Sequence, residues 1–219
     1  MLIGPVLGMV IFMVPRGLGS ITARVEHYRL AIVILYSILL DTQFLCNAFG
    51  FDSHGAKLYF MAPLRGRSVL IGKNLAAIMI IGVQVAAITI MFWLFTGAVG
   101  PVALVHAWFA VAIAAPLSLA LGNYLSVLYP RGVDSSKVYG RSYSNVSQFA
   151  TILELPLMAV IVGAGPVIGL ILDSSSVTYA ILGAEAALAF VVYGMTLGNA
   201  GVLLENRSES FLQSLVARK

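Results

Sequence analysis

Five apolar stretches, each long enough to cross a bilayer as a helix, dominate the sequence and leave little room for any other fold. A hydrocarbon core about 30 Å thick needs about 20 helical residues at about 1.5 Å each. The stretches 30–51, 74–95, 102–128, 150–172 and 179–204 meet that length. Their polar interruptions are sparse: Asp41, Thr42, Gln43 and Asn47 in the first, Gln84 and Thr89 in the second, Glu154 and Glu185 in the last two. With 60% apolar and 10% charged residues the 219-residue chain sits far from a soluble domain, in which about 25% of residues are charged. The expected fold is all-α, a polytopic membrane helical bundle.

A sixth stretch, 1–14, is apolar but short. It has no basic region before it, and Pro15-Arg16-Gly17 is not the small-x-small site at which a signal peptide is cut. It reads as a first membrane helix, short or truncated, which brings the expected count to about six. Gly4 and Gly8 in it form a small-xxx-small pair suited to close packing. The transmembrane domain is then expected over 1–204, followed by a cytoplasmic tail at 205–219. In that tail Phe211, Leu212, Leu215 and Val216 recur at helical spacing ahead of Arg218 and Lys219, the pattern of an amphipathic surface helix.

The charges give an orientation. Lys57, Arg65, Arg67 and Lys73 lie in 52–73, Arg131, Lys137 and Arg141 in 129–149, and Arg207, Arg218 and Lys219 in the tail. These regions alternate with 96–101 and 173–178, which hold no Lys or Arg. Positive loops stay inside, so the three basic regions are assigned to the cytoplasm. The segment 15–29 dissents with Arg16, Arg24 and Arg29, and three concordant regions outvote it. The net charge of +4 fits this orientation role and suggests no nucleic-acid partner. The single cysteine, Cys46, excludes an intrachain disulfide and leaves no cysteine cluster for a metal.

The stretch 47–74 carries the most information. Ser53 and Gly55 break the preceding helix, and 56–61 mixes Lys57 with Leu58, Tyr59, Phe60 and Met61, as in a short helix lying at a membrane surface. Pro63 ends it, and Arg65, Arg67 and Lys73 mark the return to the bilayer. By physics alone this interfacial elbow, 52–73, is either a lipid anchor or a docking surface. It is not a phosphate loop, because five residues rather than four separate Gly66 from Gly72 and Asn74 stands where the loop needs Ser or Thr.

The order Asn47-x-Phe49-Gly50-x-Asp52-x-x-Gly55, then Tyr59-Phe60-x-x-Pro63, then Gly72-Lys73-Asn74-Leu75, resembles the junction between the second and third membrane helices of permease subunits of type-2 ATP-binding-cassette exporters. The resemblance implies a coupling helix in the elbow, with Lys57, Leu58, Tyr59, Phe60, Pro63, Arg65 and Arg67 meeting a cytoplasmic ATP-binding-cassette subunit. It further implies a homodimer or a homologous permease partner in the lipid bilayer. ATP and Mg would then belong to the partner subunit, with no cofactor bound by this chain.

Intramembrane carboxylates are the other candidates. Asp41 falls about midway along 30–51, where an ionised group costs at least about 2.5–3.5 kcal/mol on insertion scales. It must therefore face a polar interior, pair, or stay protonated: it is a candidate for lining a pathway, as are Gln43, Asn47 and Glu185, or for a proton relay, or it makes a structural polar contact with a neighbouring helix or a second copy of the chain. Glu154, two before Pro156, reads as a first-turn residue favoured by the helix dipole. Glu185 is a candidate partner for His106. Pro116 is expected to kink its helix, and the pairs Gly165/Gly169 and Gly194/Gly198 allow close helix contacts. No catalytic or metal motif such as His-Glu-x-x-His or Gly-x-Ser-x-Gly occurs, so an enzyme is disfavoured. Without self-similar halves, an inverted-repeat transporter is disfavoured too. The alternative to a permease is a non-transporting membrane scaffold or a truncated, non-functional fragment.

Overall fold

The computed structural model describes residues 26–50, 52, 57–61, 64–130 and 145–207, and all regular structure among them is helical. After one 3-10 turn at Glu26–Tyr28 come α1 (Arg29–Leu45), α2 (Lys57–Met61), α3 (Gly66–Thr96), α4 (Pro101–Leu128), α5 (Asn145–Ile171) and α6 (Ser175–Asn206). Among the described residues four helices, α3 to α6, are long and apolar enough to cross a membrane. The expected first stretch 1–14, Pro63, the basic residues Arg131, Lys137 and Arg141, and the tail beyond Arg207 lie outside the described residues.

Several expected boundaries move, most at the end of α1 and the start of α3. The stretch 30–51 is helical only to Leu45; its last residues turn in tighter steps, with Asn47 N–H donating to the Phe44 carbonyl and Ala48 N–H to the Leu45 carbonyl. At 17 residues α1 rises about 25 Å, and Asp41 stands within about one turn of its end instead of midway. Conversely, α3 begins at Gly66, not 74, so Arg67 and Lys73 belong to the helix. Its 31 residues span about 46 Å, well over the bilayer core. The basic first turns can therefore stand outside hydrocarbon without breaking the helix, and that is why charge placement misread them as loop. α3 stops at Gly97, whose φ of +80° gives the left-handed cap that glycine adopts freely, and Pro101 opens α4 at a first-turn position.

The helices alternate in direction. Tyr28, His106 and Tyr179 meet at one end, with ring centroids 4.5 and 5.4 Å from the histidine. At the other end the Gly66 amide meets Glu205, and Lys73 meets Asp52. Hence α1, α4 and α6 run one way and α3 and α5 the other, so the elbow and the end of α6 share one end of the bundle.

α4 forms the centre, with 56% of its most apolar stretch buried against 17% in α3 and in α6. Small residues permit this: Ala107, Ala110, Ala114 and Ala120 are all buried, and a Cβ at Gly122 would fall 3.0 Å from the Leu45 carbonyl oxygen. Leu30, Val33, Ile34 and Ile38 of α1 pack with Ile81, Ile88 and Ala114 in one core cluster. Phe49, Leu70, Val127, Leu197 and Leu204 build a second at the basic end. The outward faces of α3, α5 and α6 carry exposed Met79, Val83, Val160, Ile171, Phe190 and Met195, as expected of surfaces facing lipid.

Gly165 and Gly169 do seat α5 on α6, the first with a Cβ position 3.2 Å from the Thr178 carbonyl oxygen. Gly194 and Gly198 make no such contact among the described residues, where nothing lies within 4 Å of a Cβ at either position. The close approach on that part of α6 is instead Gly201, whose Cβ position lies 2.8 Å from the Arg67 amide nitrogen.

Candidate functional site

The elbow is fastened to the bundle by charge. Lys73 forms an ion pair with Asp52, donates to the Ala48 carbonyl at 2.9 Å, and lies 5.0 and 5.7 Å from the ring centroids of Phe49 and Tyr59. Phe49 is fully buried and meets Tyr59 edge-on at 6.3 Å. One lysine thus ties three pieces together: the turn after α1, the short α2, and α3. Burial, then the Asp52 charge and a hydrogen bond to Asp52, raise the Tyr59 phenol above its ordinary range.

A second fastening lies beside it. Glu205 accepts from the Gly66 amide at 2.6 Å, placing a carboxylate at the positive end of α3 from the far end of the chain. Asn74 then donates to the Tyr193 hydroxyl at 2.9 Å, so α3 and α6 are joined on either side of the Gly201 contact.

The residues expected to dock a partner divide in two. Leu58, Arg65 and Arg67 are exposed, as is Met61 at 81%. Tyr59 faces inward as an anchor. Lys57 and Phe60 lie in α2. Met61 was read from the sequence as part of the surface helix but not counted among the docking residues, although its place three residues after Leu58 was the available signal.

The four residues expected to line a pathway are not brought together. Asp41 is 6% exposed and borders a cavity between α1 and α3. Asn47 is buried and Gln43 half-buried in the segment that follows Asp41, while Glu185 sits on α6. The proposed Glu185 and His106 pair does not form among the described residues. His106 Nδ1 lies 2.8 Å from the Val102 carbonyl, and its ring is held by Tyr28 and Tyr179. Glu185 is six residues, about 9 Å, further along α6 than Tyr179.

Glu154 is no first-turn residue. α5 starts at Asn145, which puts Glu154 nine residues, about 13 Å, along the helix. It is buried and accepts from the Ser118 hydroxyl at 2.6 Å. Ser118 and Glu154 therefore join α4 and α5 through a polar contact in the apolar interior. Polar Asn145, Ser147 and Gln148 hid the start of α5 from a reading that looked for apolar runs.

The chain matches no known protein family, no curated protein and no solved structure.

Proposed function

We propose that this chain is the membrane-spanning permease subunit of an ATP-driven export system in a plasma membrane of bacterial inner-membrane type, working with a second permease copy or homologue and a separate cytoplasmic ATP-binding-cassette subunit. The observation that carries the reading is the elbow. A short helix with outward-facing Leu58 and Met61, flanked by exposed Arg65 and Arg67, is locked through Lys73 and Asp52 to the turn after α1 and to α3. That is what a surface needs if force applied from outside the bilayer is to reach the helices. The Glu205 contact on the Gly66 amide extends the link to α6. A partner pushing on α2 would move α3 as a rod against α1, and the cavity beside Asp41 lies on that boundary. The resemblance of 47–75 to the coupling junction of type-2 exporters supports the same assignment.

The test is association of the full chain, in lipid nanodiscs, with ATP-binding-cassette subunits from its own cell. Changing Leu58→Ser, Arg65→Ala and Arg67→Ala together removes exposed groups and leaves the Lys73 contacts in place. Loss of association and of stimulated ATP hydrolysis, by at least about tenfold, is the expected result. Unchanged association would remove the elbow as the docking site, and absence of binding to any such subunit would favour a non-transporting scaffold.

A further inference from the structure

The cavity between α1 and α3 has a volume of about 750 Å³, within the range of small-molecule sites. Phe44, Leu45, Val69, Ala77, Ile80 and Ile81 are among its apolar walls. Gln84 of α3 donates to Ser37 of α1, and in the turn beyond α1 the Ala48 carbonyl accepts from Lys73. Asp41 shares the cavity wall with Ile80, which lies seven residues and about 10 Å beyond Lys73 along α3. Asp41 is 6% exposed, and although Gln84 approaches its carboxylate, Oδ2 has no hydrogen-bond partner among the described residues. Lys73, the one lysine among the described residues of the cavity wall, is already engaged by Asp52 and Ala48.

A buried carboxylate in an apolar cleft is costly while ionised unless a cation meets it, and otherwise takes up a proton. We propose that this cleft binds an amphiphilic organic cation, with its apolar body between α1 and α3 and its positive centre against Asp41. The lining decides the class. An anion would face Asp41 and Asp52 together, and a neutral hydrocarbon would leave Oδ2 unmet. Among the described residues no three His, Cys, Asp or Glu side chains converge to hold a metal ion. The rings of Phe44 and Tyr59 in the wall suit an organic cation. As an exported substrate the cation rests on the permease reading; as a ligand it requires only the cleft.

The experiment measures equilibrium binding of radiolabelled tetraphenylphosphonium and tetraphenylborate, ions of the same shape and opposite charge, to the full chain in zwitterionic nanodiscs, corrected for empty discs. Saturable binding of the phosphonium alone is expected, weakened at least about tenfold by Asp41→Asn, the scale of a lost charge-assisted contact. Asp173→Asn removes the same charge at the opposite end and should keep full affinity; its φ of 48° is one that Asn accepts. Ala77→Trp, which fills the cleft and leaves the Asp41 carboxylate in the chain, should abolish saturable binding, and it decides the matter if Asp41→Asn fails to fold. Affinity within about twofold of the parent in either cleft variant, or equal binding of the borate, would overturn the proposal. No ATP-binding subunit is present in this assay. Cation binding without later subunit association would therefore remove only the permease reading, and association without cation binding only this inference.

Discussion

Replacing Lys73 by Met keeps an apolar stem of similar length and removes the charge that joins the elbow to the bundle. Four interactions go at once: the Asp52 ion pair, the Ala48 hydrogen bond at 2.9 Å, and the contacts with the Phe49 and Tyr59 rings. Breaking a fully buried pair costs about 3–5 kcal/mol, because the surviving charge is left without a partner. Here the two side chains retain 15% and 25% exposure, and solvent relief brings the ionic part to about 2 kcal/mol. The ring contacts add about 0.5–1 kcal/mol. A total loss of about 2–4 kcal/mol follows, and Asp52→Asn in the same chain should restore part of it by removing the orphaned carboxylate. Reversible unfolding in mixed detergent micelles gives the energies, and the double-mutant cycle gives the coupling, expected to exceed about 1 kcal/mol. Limited proteolysis should show cleavage at 52–65 rising in Lys73→Met before the bundle itself unfolds. A destabilisation below about 0.5 kcal/mol, or strict additivity with Asp52→Asn, would refute the idea that one ion pair fastens the elbow.

Gly201→Ala should cost about 1–3 kcal/mol by pushing into the Arg67 backbone, whereas Gly198→Ala, with open space around it, should be neutral or slightly stabilising; both are read by the same unfolding assay. Ser118→Ala should destabilise by about 1–3 kcal/mol, since it strips a hydrogen bond from buried Glu154, and a loss under about 0.5 kcal/mol would show that the contact is not needed. Because Tyr59 is held above the ordinary phenol value of about 10, its share of stability is complete below that pH and falls away as pH rises through the raised folded value. In absorbance titration at alkaline pH, Tyr59→Phe should remove a late-titrating phenol, and Asp52→Asn should move that phenol earlier.

The positions of the long helices were readable because an apolar run of membrane length has few other uses, and the spacing of Gly165 and Gly169 correctly marked a close contact on α6. Their limits were less readable. Arg67 and Lys73 looked like loop residues, yet a helix of 31 residues carries charge on turns that lie beyond the hydrocarbon. Contacts between distant parts of the chain left no local trace: Glu205 reaches Gly66, Gly201 meets Arg67, and Tyr193 receives Asn74. Within the candidate site, Asp41 stood out as an expensive residue in an apolar run, but its place on a cleft depends on α3, whose register no pattern in α1 encodes. The anchoring role of Lys73 was hidden for a related reason. Its partners Asp52, Ala48 and Phe49 are about 20 residues away, and only the turn after Leu45 brings them together.

The central claim is that α2 is where an ATP-binding subunit engages the bundle, and site-specific photo-crosslinking in living cells tests it most directly. A photoreactive residue at Met61, 81% exposed at the basic end, should capture a cytoplasmic protein bearing the Walker motifs of an ATP-binding-cassette subunit. The same probe at Met79, exposed on the apolar face of α3, should capture lipid. Crosslinks from Met61 to lipid alone, or capture of the same ATP-binding subunit from Met79 as readily as from Met61, would contradict the account.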